Sequence, residues 1–114
     1  MTTRIEELGK LEDGWLEGAG TAPSPKLIDW LTSEVADCYP DMEYPSVAPT
    51  EEGHVVFEWM RPQARIELEF SPDNQAIELY ATNLTNESFV ETSFGQDEWD
   101  AAFGKVRDLL GAAE

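Results

Sequence analysis

Positive charge is what this chain has least of. Seven Lys and Arg stand against 24 Asp and Glu in 114 residues, a formal net charge of −17. The seven are Arg4, Lys10, Lys26, Arg61, Arg65, Lys105 and Arg107, scattered along the sequence with no basic cluster. Nucleic acids and anionic membranes are bound through grouped Lys and Arg. Direct binding to either is therefore not expected. The single cysteine, Cys38, leaves no intramolecular disulfide, and the single histidine, His54, leaves no multi-histidine zinc site. No apolar run approaches the roughly 20 residues of a membrane-spanning helix. The start, Met1-Thr2-Thr3-Arg4-Ile5-Glu6-Glu7-Leu8, lacks the apolar core of a signal peptide. The expectation is a soluble, cytoplasmic protein of a reducing compartment.

Catalytic constellations are also missing. A reactive thiolate needs cationic neighbours, whereas Cys38 is flanked by Asp37, Asp41 and Glu43. With one histidine and no serine in a nucleophile elbow, a triad is hard to assemble. The glycines at 14, 18 and 20 match neither a P-loop nor a dinucleotide fingerprint, and Glu12, Asp13 and Glu17 would repel phosphate there. The acidic runs do not follow the calcium-loop template. Carboxylate pairs are abundant, but a chain of this size in thin layers seldom encloses a deep substrate cleft. No catalytic residue, metal ligand or cofactor is assigned.

What is present is enough apolar surface for one core. The apolar fraction is 41%, with 4 Trp, 5 Phe and 3 Tyr, which suits a single domain over residues 1–114. Thr3 and Glu6 form a capping-box pattern for a short helix from Arg4, with Ile5, Leu8 and Leu11 on one face. Residues 13–25 hold three glycines and two prolines and read as a loop. Ser24 suits the N-cap and Pro25 the first position of a second helix. Leu27, Leu31 and Val35 form its stripe, flanked by Ile28 and Cys38, and Pro40 ends it.

From Ser46 the period changes to two. Extended runs are predicted over Ser46–Thr50, His54–Met60, Ala64–Phe70, Ala76–Thr82 and Ser88–Ser93, joined by short turns. Pro49 places the first run at a sheet edge. A last helix is predicted from a cap at Asp97, with Trp99, Phe103, Val106 and Leu110 as its stripe and Lys105 and Arg107 towards its end. The fold class is α+β: an antiparallel four- to five-stranded meander, with two N-terminal helices and one C-terminal helix covering one face.

Alternation sorts the strand residues. Val55, Phe57, Trp59, Ile66, Leu68, Phe70, Ile77 and Leu79 belong to the core side. Val56, Glu58, Met60, Arg65, Glu67, Glu69, Glu78, Tyr80 and Thr82 belong to the other. In-order pairing would gather Glu58, Glu67, Glu69 and Glu78 on one surface with Arg65 as its cation. Like charges facing each other across strands are destabilising. Three explanations are open. The wet face of an antiparallel sheet needs polar residues. A salt-rich cytoplasm would favour acid spread over the whole surface. A cation-rich protein partner would relieve the repulsion, and exposed Tyr80, Met60 and Val56 among the charges fit such an interface.

Two aromatics are less clear. Trp15, in its glycine-rich loop, suits either a recognition residue or a plug at the end of the core, the plug being favoured. Trp30 falls near the edge of the second helix's stripe. A pocket lined by Trp59, Phe70, Trp99 and Phe103 is the alternative to the acidic face as a binding site. An exposed edge near Pro49 or Phe89 would also allow a homodimer.

The segments Leu11–Gly18 with Ala22–Pro25, and Pro45–Pro49 with Glu52–Trp59, resemble a set of small bacterial proteins. In these a tryptophan-glycine loop precedes a helix, and a Pro-flanked strand pairs with one ending in Glu-Trp. The resemblance spans roughly the first half of the chain and implies a small α+β fold and a bacterial or phage source. It implies no activity. Size and acidity are similar to those of antitoxins, immunity proteins and phage inhibitors. The expected function is non-enzymatic: an inhibitor that binds a basic protein surface through Glu58, Glu67, Glu69, Glu78, Tyr80 and Met60.

Overall fold

The computed structural model describes residues 2–35, 45–71, 76–85 and 87–112. In order these are helix α1 (Thr2–Leu8), helix α2 (Pro25–Trp30) running on into a π-helical turn (Leu31–Val35), strands β1 (Ser46–Pro49), β2 (Val55–Arg61), β3 (Ala64–Phe70), β4 (Ala76–Asn83) and β5 (Phe89–Gly95), a 3-10 turn (Gln96–Glu98) and helix α3 (Trp99–Ala112). The fold is α+β. All five strands are antiparallel neighbours in the order β1-β2-β3-β4-β5. The meander expected from the turn spacing is present, and Pro49 does lie on an edge strand. Cys38 and Pro40 lie outside the described residues, and so does the side chain of Val35.

Strand alternation makes the core. Along β2, β3 and β4 every second residue is buried and the intervening ones are not. The inward side chains Val55, Phe57, Trp59, Ile66, Leu68, Phe70, Ile77, Leu79 and Ala81 form one cluster with Ile5 and Leu8 of α1, Leu27 and Ile28 of α2, Leu31, and Ala102, Phe103, Val106 and Leu110 of α3. Phe103 is the aromatic hub. Its ring lies 6.1 Å from Phe57 and from Trp59, and 6.4 Å from Phe70 and from Trp99. Phe57 and Phe70 meet edge-on at 4.9 Å. Such offset and edge-to-face pairs add to the area they bury.

Of the four residues expected to line a pocket, Trp59, Phe70 and Phe103 are at most 2% exposed and Trp99 is half-buried.

Helix starts and stops follow local chemistry, with departures from expectation in each helix. The Ser24 hydroxyl accepts from the Leu27 amide at 3.1 Å, and Pro25 opens α2, both as expected. The helix then widens. Thr32 and Ser33 donate their hydroxyls to the carbonyls of Ile28 and Asp29, four residues back, at 2.8 and 2.7 Å. Such back-bonding competes with the α-helical ladder, and the π-helical turn falls at these residues. The first helix begins at Thr2, ahead of the expected Arg4, and ends at Leu8, leaving Leu11 to pack against the core from the loop. At the C-terminal helix Asp97 is not the cap. It lies within the 3-10 turn that leads into α3, and Gly95 caps that turn, its amide donating to Glu98 Oε1 at 3.0 Å. Because α3 runs to Ala112, Lys105 and Arg107 sit near its middle, and its last turn has no basic residue.

Trp15 is not in the core cluster. Its indole N–H donates to the Thr21 carbonyl at 3.1 Å, closing its own loop. Gly20, at φ +92°, lies under the ring, and a Cβ there would meet the indole at 3.1 Å. Trp30 is half-buried against Phe70, with ring centres 6.0 Å apart. Among the described residues no helix is long and apolar enough to cross a membrane.

If Phe103 joins α3 to the sheet, Phe103→Ala should cost about 3–5 kcal/mol in guanidinium unfolding. Phe89→Ala, at a ring 57% exposed, should stay within about 0.5 kcal/mol.

Candidate functional site

The outer face of the sheet brings together every residue assigned to it from sequence. Register decides the neighbours. Glu58 lies directly opposite Glu67, and Glu69 directly opposite Glu78. Glu67 faces Tyr80 on its other side, and Met60 faces Arg65. Two like-charged pairs therefore sit side by side on three adjacent strands. These glutamates are half-buried, with the side chains of Glu58, Glu67 and Glu69 exposed by 27%, 27% and 28%. Exposed carboxylates also occur on the helices and loops, among them Glu6, Glu7, Glu12, Asp29, Asp100 and Asp108. Close packing and partial burial set the sheet group apart.

The two pairs are compensated differently. Arg65 clamps the first. Its Nη2 lies 2.8 Å from both Glu58 Oε2 and Glu67 Oε1, and its Nε donates to Glu58 Oε2 at 3.0 Å. The Glu58 hydrogen bond, then the charges of Glu67 and Glu58, hold the guanidinium above its already high ordinary pKa. The second pair has no guanidinium. Glu69 takes the ring Nδ1 of half-buried His54 in a short contact, and Glu78 accepts from the Ser93 hydroxyl at 2.5 Å. The lone histidine thus orders this face and is engaged by a carboxylate.

Four residues join the site that the sequence reading did not assign to it: His54, Ser93, Glu91 and Phe89. Glu91 of β5 lies directly opposite Tyr80, and Phe89 opposite Thr82. The Phe89 ring is 57% exposed and tilted against Tyr80 at 6.4 Å. The alternation Phe89, Glu91, Ser93 carried the signal, had the fifth strand been sorted by face like the other three. Arg65, Glu67, Glu69, Tyr80, Thr82 and Phe89 line a shallow depression of about 360 Å³.

Tyr80 reports the local field. Its phenol is pushed above the ordinary value, first by burial and then by the carboxylates of Glu69, Glu78, Glu91 and Glu67. The Glu67 carboxyl is raised too, first by burial and then by its hydrogen bond with Glu58, with Arg65 opposing. Negative charge from Glu69, Glu78 and Glu91 is therefore gathered around Tyr80, with the His54 imidazole as the neighbour of Glu69. Among the described residues no group of three or more His, Cys, Asp and Glu is arranged to hold a metal ion.

No family model, curated protein or solved structure matches this chain.

A carboxyl with a raised pKa in the folded state binds its proton more tightly folded than unfolded. Its contribution favours folding below the ordinary carboxylate range and is lost as pH rises through the raised value. The melting temperature should therefore climb as pH falls from about 7 to about 5, and Glu67→Gln should make that climb shallower. Falling net charge raises stability in both proteins, so the difference in slope is the readout. Parallel calorimetric curves for the two would show that Glu67 is not held in this way.

Proposed function

We propose that this chain is a binding protein, not an enzyme, and that its outer sheet face covers a basic surface on another protein. The observation that carries this reading is the direct cross-strand opposition of Glu69 and Glu78 beside Glu91. Like charges held together in a half-buried setting raise the free energy of the unbound protein. A cationic partner relieves that repulsion on docking, so complementarity gives both attraction and register. Phe89 and Met60 add exposed aromatic and thioether surface around the charges and half-buried Tyr80, a mixture suited to an interface core. The net charge of −17 would speed encounter with a basic mate.

A basic protein surface that accepts this face commonly meets phosphate. The chain would thus act as an inhibitor, occupying a site that otherwise holds nucleic acid, in the manner of an antitoxin or a phage inhibitor. The sequence likeness to small bacterial proteins points to a bacterial or phage setting for that role. The protein would work in the cytoplasm and need no cofactor.

Affinity capture from the native host at low and high salt would identify the partner and test the face together. The partner should be basic, should associate more slowly as salt rises, and should release nucleic acid when this chain binds. Glu69→Gln/Glu78→Gln/Glu91→Gln should abolish capture with an unchanged circular dichroism spectrum. Glu58→Gln/Glu67→Gln, at the pair already clamped by Arg65, should weaken it less. Equal capture by the triple variant and the parent would reject the face assignment.

A further inference from the structure

The two edges of the sheet are built differently. β1 has four residues and ends at Pro49. Its Val47 carbonyl accepts from Arg4 Nε at 2.9 Å. Shortness, proline and an engaged backbone group are devices that close an edge to further pairing. β5 lacks the first two, and a backbone group is engaged at its far end, where the Gly95 amide donates to Glu98 Oε1 at 3.0 Å. It has seven residues, Phe89–Gly95, with no proline, lysine or arginine. Residues 89–93 are all exposed, Phe89 by 57% and Val90 by 42%. Among the described residues no strand lies beyond it.

The hydrogen-bond phase of β5 is also set. The Asn83 amide donates to the Ser88 carbonyl at 2.8 Å. Antiparallel bonding alternates from there, so Val90, Thr92 and Phe94 bond inward to β4. Phe89, Glu91 and Ser93 turn their amides and carbonyls to the free edge. The same three residues place their side chains on the acidic face, opposite Thr82, Tyr80 and Glu78. On the reverse face Val90 borders a recess of about 160 Å³ lined also by Ala64, Ile66, Ala81 and Leu109.

We propose that β5 receives an extended basic segment of the protein partner as a sixth, antiparallel strand. This rests on the preceding reading that the partner is basic. Alternate side chains of the incoming strand fall on opposite faces. Cationic residues opposite Phe89, Glu91 and Ser93 meet Glu91 directly and lie about two strand spacings, ~10 Å, from Glu78. Small apolar residues between them extend the wall of the Val90 recess. A second copy of this chain fits the edge poorly, because it brings a further −17 of like charge.

The probe is an end-blocked heptapeptide, Lys-Val-Lys-Val-Lys-Val-Lys, matched in length to β5 and compared with Lys-Lys-Lys-Lys-Val-Val-Val of the same composition. The alternating peptide should bind and slow amide hydrogen exchange at Phe89, Glu91 and Ser93, read by nuclear magnetic resonance. The alternating peptide N-methylated at every second residue on the edge facing β5 should bind at least about tenfold more weakly, having lost two or three backbone hydrogen bonds. The block peptide keeps its amides but mixes lysine and valine on both faces, and should also bind at least about tenfold more weakly. Equal binding of the first two peptides without amide protection would overturn strand addition and leave the charge attraction standing. Failure of the alternating peptide to bind would overturn it as well, as would protection that grows with protein concentration in the absence of peptide. Undiminished binding and protection in Glu69→Gln/Glu78→Gln/Glu91→Gln would retain the strand addition and remove the acidic-face reading.

Discussion

The packing of Phe57, Trp59 and Phe70 around Phe103 governs the rest of this molecule. These rings exclude water from one side of β2 and β3, and α3 delivers Phe103 into their centre. Side chains on a strand alternate, so the inward set dictates the outward one. Once Phe57 and Trp59 are inside, Glu58 must be outside. Once Ile66, Leu68 and Phe70 are inside, Glu67 and Glu69 must be outside. A slip of one residue would bury the carboxylates and expose the rings, and both changes are strongly unfavourable. The acidic face is held in place by the cohesion of the opposite face.

Electrostatics on that outer face is partly settled within the chain. One glutamate pair is answered by Arg65, which bridges Glu58 and Glu67. Exposed ion pairs contribute little, but a guanidinium shared by two half-buried carboxylates removes a repulsion that would otherwise act directly across strands. The other pair has an imidazole and a hydroxyl as neighbours, and Glu91 adds a third carboxylate at Tyr80. The face thus runs from a corner bridged by a guanidinium to one held by an imidazole and a hydroxyl. The second corner adjoins the β5 edge of the sheet, while Arg4 and Pro49 mark the β1 edge.

Much of this was legible in the one-dimensional pattern. Period-two alternation placed all five strands to within a residue or two, because antiparallel strands with one wet face write their burial directly into sequence. Ser24 and Pro25 announced α2 because capping is a contact between residues three apart. Pro49 announced an edge because a missing amide has few other places in a sheet. Trp15 was less legible. Its role depends on a hydrogen bond to Thr21 and on space above Gly20, which depend on the path of the loop.

The sequence by itself determined the fold class, the strand faces and the total charge, since each depends on residue type and spacing along the chain. Only the tertiary structure decided which glutamates oppose each other, that Arg65 clamps one pair while His54 reaches the other, and that Glu91 and Phe89 complete the surface. It also decided that Trp59, Phe70 and Phe103 are buried together and that the two edges of the sheet are built differently. Those outcomes depend on register between strands and on where helices end, quantities set by many simultaneous contacts between residues distant in the chain, to which local spacing is blind.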